Sequence, residues 1–117
     1  MPDRIFHITE PETWRAQSPT GRYTQSTRGA TLADVGFIHC SFRHQVAPVA
    51  GFVYADRRAP LLLLEIDPAK VDAPIEVEAL AGAPDEFPHI YGPLPVTAVV
   101  AVHDLVRDGA TWRIADA

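Results

Sequence analysis

Three short segments of this 117-residue sequence place a histidine among residues that belong in a core. His7 stands between Phe6 and Ile8, His39 between Ile38 and Cys40, and His89 beside Ile90. In an extended chain, successive side chains point to opposite faces. Each segment therefore turns its apolar residues one way and its histidine the other. The histidine sides also carry Thr9, Phe37, Ser41 and Tyr91. If the three strands share a sheet with their apolar faces inward, the imidazoles converge on the opposite face. Imidazole is the side chain whose charge changes near neutral pH, so such a group suits proton transfer or anion binding.

The third segment is the most constrained. It runs Phe87-Pro88-His89-Ile90-Tyr91-Gly92-Pro93-Leu94. Its prolines fix the backbone dihedral on either side, and Gly92 admits a turn that other residues resist. His89 and Tyr91 on one face of this stiffened strand end are expected to form one wall of a small-molecule site. Every residue named also has a structural reading. A single strand histidine is commonly a hydrogen-bonded core residue, and Tyr91 suits a core anchor with its hydroxyl on backbone. Ser41 suits the cap of a following helix, and Glu76 and Glu78 suit a solvated strand face. His44 and His103 read as surface residues. The functional reading rests on the three histidines together.

Several other chemistries find no footing. No two histidines have the i, i+4 helical spacing of a zinc protease, and Cys40 has no partner cysteine for a metal site or an internal disulfide. His39 and Cys40 are neighbours in a strand and point apart, which leaves the thiol on the buried side, where it is inert. No Gly-x-Gly-x-x-Gly and no P-loop is present.

The elements that must position these residues follow from local pattern. Arg4 to Thr9 reads as a strand, and Thr9-Glu10-Pro11-Glu12 matches a capping box with Thr9 as N-cap, leading a helix to about Gln17 with Trp14 as its core anchor. Residues Arg22 to Val35 read as a long loop with one helical turn over Thr31 to Asp34. Gly36 to Ser41 is a second strand. A helix capped by Ser41 runs to about Tyr54, with Phe42, Val46, Val49 and Val53 on its inner side and Pro48 kinking it or delaying its start. Leu61 to Ile66 is apolar without alternation, the mark of a strand covered on both faces. Ile75 to Glu78 alternates, with Ile75 and Val77 inward. A loop over 81–86 leads into the octapeptide. Val96 to Val102 is the last apolar run, and Asp108-Gly109 signals a hairpin returning through Thr111 to Ile114. The end, 115–117, is expected to fray. The sum is an α+β fold of about six short strands, with two helices in the first half; the second half is too tightly spaced for parallel crossovers.

Composition bounds the rest. The length fits one domain, residues 1–117, and 47% hydrophobic with 21% charged residues is an ordinary globular balance. Fifteen acids against ten bases give a net charge of −5, with Lys70 the sole lysine. That balance argues against a nucleic-acid footprint. No apolar run approaches the roughly 20 residues that cross a bilayer, and no signal-peptide profile opens the chain. A cytoplasmic location is the expectation.

In order and spacing, the segments Ile5-Phe6-His7-Ile8-Thr9, Gly36-Phe37-Ile38-His39-Cys40-Ser41, Leu61 to Asp67, Glu78 and the octapeptide resemble the bacterial family called domain of unknown function 952. The resemblance runs to about Val102. It implies an ADP-ribosyltransferase-like fold, a split β core of two small sheets with a cleft between them. By that likeness His7 is a ligand-binding residue for the nicotinamide-side ribose of NAD. His39 matches the histidine of the next motif strand in the branch resembling RNA 2′-phosphotransferases. Glu78 is the one candidate for the glutamate that polarises a ribose hydroxyl, and Arg22 and Arg28 are the nearest substitutes for that branch's phosphate-gripping arginines.

The leading expectation is a cleft lined by His7, Thr9, Tyr23, His39, Ser41, His89 and Tyr91 that binds NAD or a related nucleotide, with NAD in the role of substrate. In it Tyr23 or Tyr91 stacks on a ring, and Glu78 or His89 assists proton transfer during ADP-ribosyl transfer or hydrolysis. Two alternatives stand beside it: a non-catalytic module binding a nucleotide or other small ligand, and a hydrolase using His39 and His89 as base and acid.

Overall fold

Leu61 to Ile66 is the centre of the molecule. In the computed structural model, which describes residues 3–79 and 84–115, this strand lies between two antiparallel partners. With strands numbered along the chain, β1 is Ile5–Thr9, β6 is Leu61–Ile66, β10 is Val99–Asp108 and β11 is Thr111–Ile114. Their order in the sheet is β1-β6-β10-β11. Leu61 and Leu63 enter one apolar cluster with Phe6, Ile8, Val46, Ala50, Leu105 and Trp112. Leu64 and Ile66 enter a second with Ile5, Tyr23, Ile38, Cys40, Ile90 and Leu94. The run without alternation is thus a strand with a core on each face. Burying one such side chain contributes roughly 1.5–3 kcal/mol, and all four are fully buried.

The second sheet carries the histidine segments. Strands β5 (Ile38–His39), β8 (Glu86–Ile90) and β7 (Ile75–Ala79) pair antiparallel in that order. The register sets His39 opposite His89, Glu76 opposite His89, Glu78 opposite Phe87, and Ile38 and Ile75 opposite Ile90. Directly opposed residues share a face. One face therefore collects the histidines, Phe87 and both glutamates, while the three isoleucines turn into the second core. The backbones of the two sheets meet where Phe6 and Ser41 exchange hydrogen bonds of 2.8 and 2.7 Å.

Several local expectations are corrected by this packing. Residues 22–35 are built of short elements: β2 (Arg22–Tyr23) pairs with β9 (Leu94–Pro95), and β3 (Gln25–Thr27) pairs with β4 (Ala30–Thr31). The expected helical turn follows as α2 (Leu32–Val35), numbering the helices in the same way, capped reciprocally by Thr31 and Asp34. The described residues hold eleven strands and three helices, and all strand pairings are antiparallel. The extra strands are two or three residues long, too short to print a period on the sequence.

Helix α1 (Pro11–Gln17) is preceded by Glu10 in the capping position, because Thr9 is the last residue of β1 with its side chain inward. Helix α3 (Val46–Val53) starts after a 3-10 turn at Arg43–Gln45, so Pro48 falls in its first turn, where a missing N–H costs no helical bond. Ser41 is not its cap, being committed to the bridge with Phe6. Instead the Gln45 carboxamide accepts from Phe42 N–H at 2.9 Å and donates to Glu86 C=O at 2.8 Å. Val77, expected inward, is half exposed, since β7 is the sheet edge.

The hairpin at Asp108-Gly109 forms with Gly109 at φ 64°. Gly92 serves a close approach: a Cβ there would lie 2.7 Å from that of Ala73. The loop expected over 81–86 and the end expected to fray over 115–117 both fall partly outside the described residues. Among the described residues no helix is long and apolar enough to cross a membrane.

Candidate functional site

The shared face of the second sheet organises its polar side chains into one chain of hydrogen bonds. The Glu78 carboxylate receives two donors on the same oxygen, the Tyr91 hydroxyl and Nδ1–H of His89, the latter at 2.9 Å. These bonds, Tyr91 first and then His89, hold the Glu78 carboxyl below its ordinary pKa, so it is ionised at neutral pH. With Nδ1 of His89 donating, its Nε2 is left to meet Nδ1 of His39, 3.3 Å away. Burial, and then the neighbouring His89, lower the pKa of His39 to about 4. A neutral His39 that donates from Nδ1 carries its lone pair on Nε2, and that nitrogen makes no hydrogen bond with any described residue. His89 is clamped by more than its bonds: Phe37 stacks on it at 4.0 Å between ring centroids and 16° between planes.

His39 opens onto a cavity of about 420 Å³ between the second sheet and α3. Phe37 and Phe87 supply one wall and Pro48, Val49, Phe52 and Val53 the other, with Ser26 and Thr27 of β3 closing it. The volume falls within the roughly 300–1,000 Å³ of small-molecule sites. Its lining is apolar apart from His39 and two hydroxyl residues. Phe52, at the rim, is 87% exposed, an unusual position for a phenylalanine.

A second chain of hydrogen bonds lies behind the first and is closed at both ends. Nδ1 of His7 is 2.7 Å from the His39 carbonyl, which can only accept, so the proton is on Nδ1. Nε2 is then an acceptor for the Tyr23 hydroxyl at 2.8 Å. A phenol has one proton, so the 2.8 Å contact between Tyr23 and Thr9 is completed by the Thr9 hydroxyl donating. His7 and Thr9 are 1% and 2% exposed and Tyr23 is wholly buried. Burial lowers His7 to about 4 and raises Tyr23 above its ordinary value.

Of the residues read from sequence, His39, His89, Glu78 and Tyr91 are brought together in the open chain. His7, Thr9 and Tyr23 form the closed one. His7 has both ring nitrogens engaged and lines the small space beside His39, and Tyr23 is wholly buried. Ser41 sits between the chains, buried beside His7 and His39.

Arg22 and Arg28 do not line the cavity. Arg22 pairs with Asp72 at 3.3 Å, and Arg28 with Asp56 at 2.6 Å and the Val53 carbonyl at 3.1 Å while lying over the Tyr54 ring. Cys40 points into the core, and burial raises its thiol pKa. No metal-holding cluster of His, Cys, Asp and Glu occurs among the described residues. The apolar walls were not singled out from sequence as a site. Phe37 was placed on the face of His39 by alternation, whereas Val49 and Phe52 come from a helix whose pattern does not say whether it faces protein or space.

Solved structures share this fold over most of its length. Two crystal structures of protein CC0527 from Caulobacter crescentus, one of them a double mutant, superpose with a TM-score of 0.75 at 32% identity, covering 92% of this chain and 90% of that one. The solution NMR structure of CC0527 gives 0.69 at 29% identity, covering 91% and 87%. No curated protein matches the chain. Residues 8–102, from the end of β1 into β10, match the family described as protein of unknown function (DUF952), and to that family this chain belongs.

Proposed function

We propose that this chain binds a compact, mostly uncharged organic molecule in the cavity between the second sheet and α3, and that His39 exchanges a proton with it. The observation that carries this reading is the unpartnered Nε2 of His39 at an otherwise apolar cavity, backed by His89 and Glu78. A lone histidine with a pKa near 4 is a weak base. The relay offsets that weakness. A proton taken at Nε2 is matched by one passed from Nδ1 of His39 to Nε2 of His89, and the positive charge comes to rest beside the Glu78 carboxylate. His39 and His89 therefore act in series, which differs from a base and an acid on opposite sides of a substrate.

A second reading keeps the ADP-ribosyltransferase-like split core. Two separate sheets bridged at Phe6 and Ser41 favour it, and a nicotinamide or adenine ring has the size and apolarity of the cavity. The phosphates of NAD find no cation there, since both nearby arginines are paired elsewhere.

An NMR titration of the imidazole and aromatic signals tests both. Nicotinamide, adenine and benzamide are expected to shift His39, Phe37 and Phe87 in the wild type but not in Val49→Trp, which fills the cavity. NAD and ADP-ribose are expected to bind no more tightly than the free rings. Silence from every ring compound would sink the cavity reading; NAD binding far more tightly than nicotinamide would put the second reading first.

A further inference from the structure

The large cavity has a small annex. A space of about 10 Å³, close to one water, is lined by His7, Ile8, Ser26, Thr27, His39 and Ser41 together with the flank of α3 and Tyr54. It shares Ser26, Thr27, His39, Val49 and Val53 with the large cavity, so the two adjoin at His39. Its polar groups are not equally occupied. Both nitrogens of His7 are bonded, and the Ser26 hydroxyl donates to the Phe37 carbonyl. Ser41 is 2% exposed and lines the same space. A water in this space has the Ser41 hydroxyl and Nε2 of His39 as polar partners.

We infer that the annex holds a nucleophilic water and that the chain hydrolyses a compact, apolar carboxylic ester seated in the large cavity. This inference rests on the ligand-binding reading above. The water oxygen bonds to the ester carbonyl carbon while its proton goes to Nε2 of His39. The tetrahedral adduct then breaks its bond to the alcohol oxygen, which takes the proton back from His39. One water is consumed, one acid and one alcohol form, and nothing is oxidised or reduced. The ester class follows from the walls: phosphoryl or nucleotide substrates need cations that this cavity does not present, and an ester carries its reacting carbon on an uncharged body.

The test uses p-nitrophenyl butyrate with the full chain, and p-nitrophenyl butyl ether as its unhydrolysable counterpart. Saturable turnover is expected, falling about 100-fold in His39→Ala, within the range for loss of a general base. Ser41→Val, which fills the annex, is expected to fall about as far while the ether still shifts Phe37 and Phe87. Ser41→Ala keeps the space and removes one partner, and about a tenfold loss is expected. His44→Ala alters an exposed imidazole and should leave turnover unchanged, separating site chemistry from surface reaction. In ¹⁸O water the label should enter butyrate. Undiminished turnover in both Ser41 variants would overturn the annex water. Ether binding without wild-type turnover would overturn hydrolysis and leave the binding reading standing, whereas no ether binding would remove both.

Discussion

The two hydrogen-bonded chains differ in one respect. Thr9, Tyr23 and His7 form a line that begins at a hydroxyl and ends on a backbone carbonyl, with every donor and both imidazole nitrogens used. Tyr91, Glu78, His89 and His39 form a line of similar parts that ends on a bare nitrogen facing a cavity. The same residue types therefore hold a core together in one place and supply a reactive end in the other. A buried histidine with two partners is a structural residue; one with a single partner and space beside it is chemical equipment.

The widest separation between the two chains should appear in stability. His7→Ala is expected to cost roughly 3–4 kcal/mol in urea unfolding, combining a cavity with two orphaned partners, while His39→Ala at the cavity wall costs under about 1 kcal/mol. Equal losses would erase the contrast.

Acid should probe the same difference. His7 has its folded pKa lowered to about 4 from 6.5, so the unfolded chain binds the extra proton between those values. Its contribution is full above pH 6.5 and declines as pH falls toward 4, by roughly 3 kcal/mol. His39 works in the same direction. Chemical denaturation at half-unit pH steps should show this slope, and a flat profile across the window would contradict the buried neutral state. A smaller effect, about 1–2 kcal/mol, is expected for Tyr23→Phe, which leaves Nε2 of His7 without its donor.

Glu78→Gln should scarcely move the unfolding midpoint. It removes the charge beside His89 and is expected to move the NMR signals of His39 while leaving those of His7 in place. Movement of His7 as well would mean that the two chains are one network. Smallest of all, Cys40 should react with a thiol reagent only on unfolding, at the same rate in wild type and His39→Ala.

Much of this arrangement was legible from short-range pattern. Alternation placed Phe37, His39 and Ser41 on one face and paired His89 with Tyr91, and the unbroken apolar run of β6 announced a strand with two covered sides. The misreadings share a cause. Thr9 and Ser41 both satisfy the local rule for a helix cap, yet each is drawn into a long-range contact, Thr9 to Tyr23 and Ser41 to Phe6. Local propensity is worth about a kilocalorie and yields to such contacts. The cavity was beyond reach for a different reason: the spacing of Val49 and Val53 marks an inner helix face, and whether that face meets side chains or empty volume depends on elements distant in sequence.

The fastening of α3 has a kinetic consequence. Its leading end is tied to β8 through the buried amide of Gln45, and its trailing end to the β3–β4 turn through Arg28, whose partner Asp56 is 77% exposed. The helix is thus held by a sheltered hinge contact at one end and a salt-sensitive latch at the other, and Phe52 stands on the latch side. Added salt weakens the latch by screening while sparing the hinge. Ligand entry and exit measured by stopped flow should therefore quicken together as ionic strength rises, with the equilibrium affinity scarcely changed.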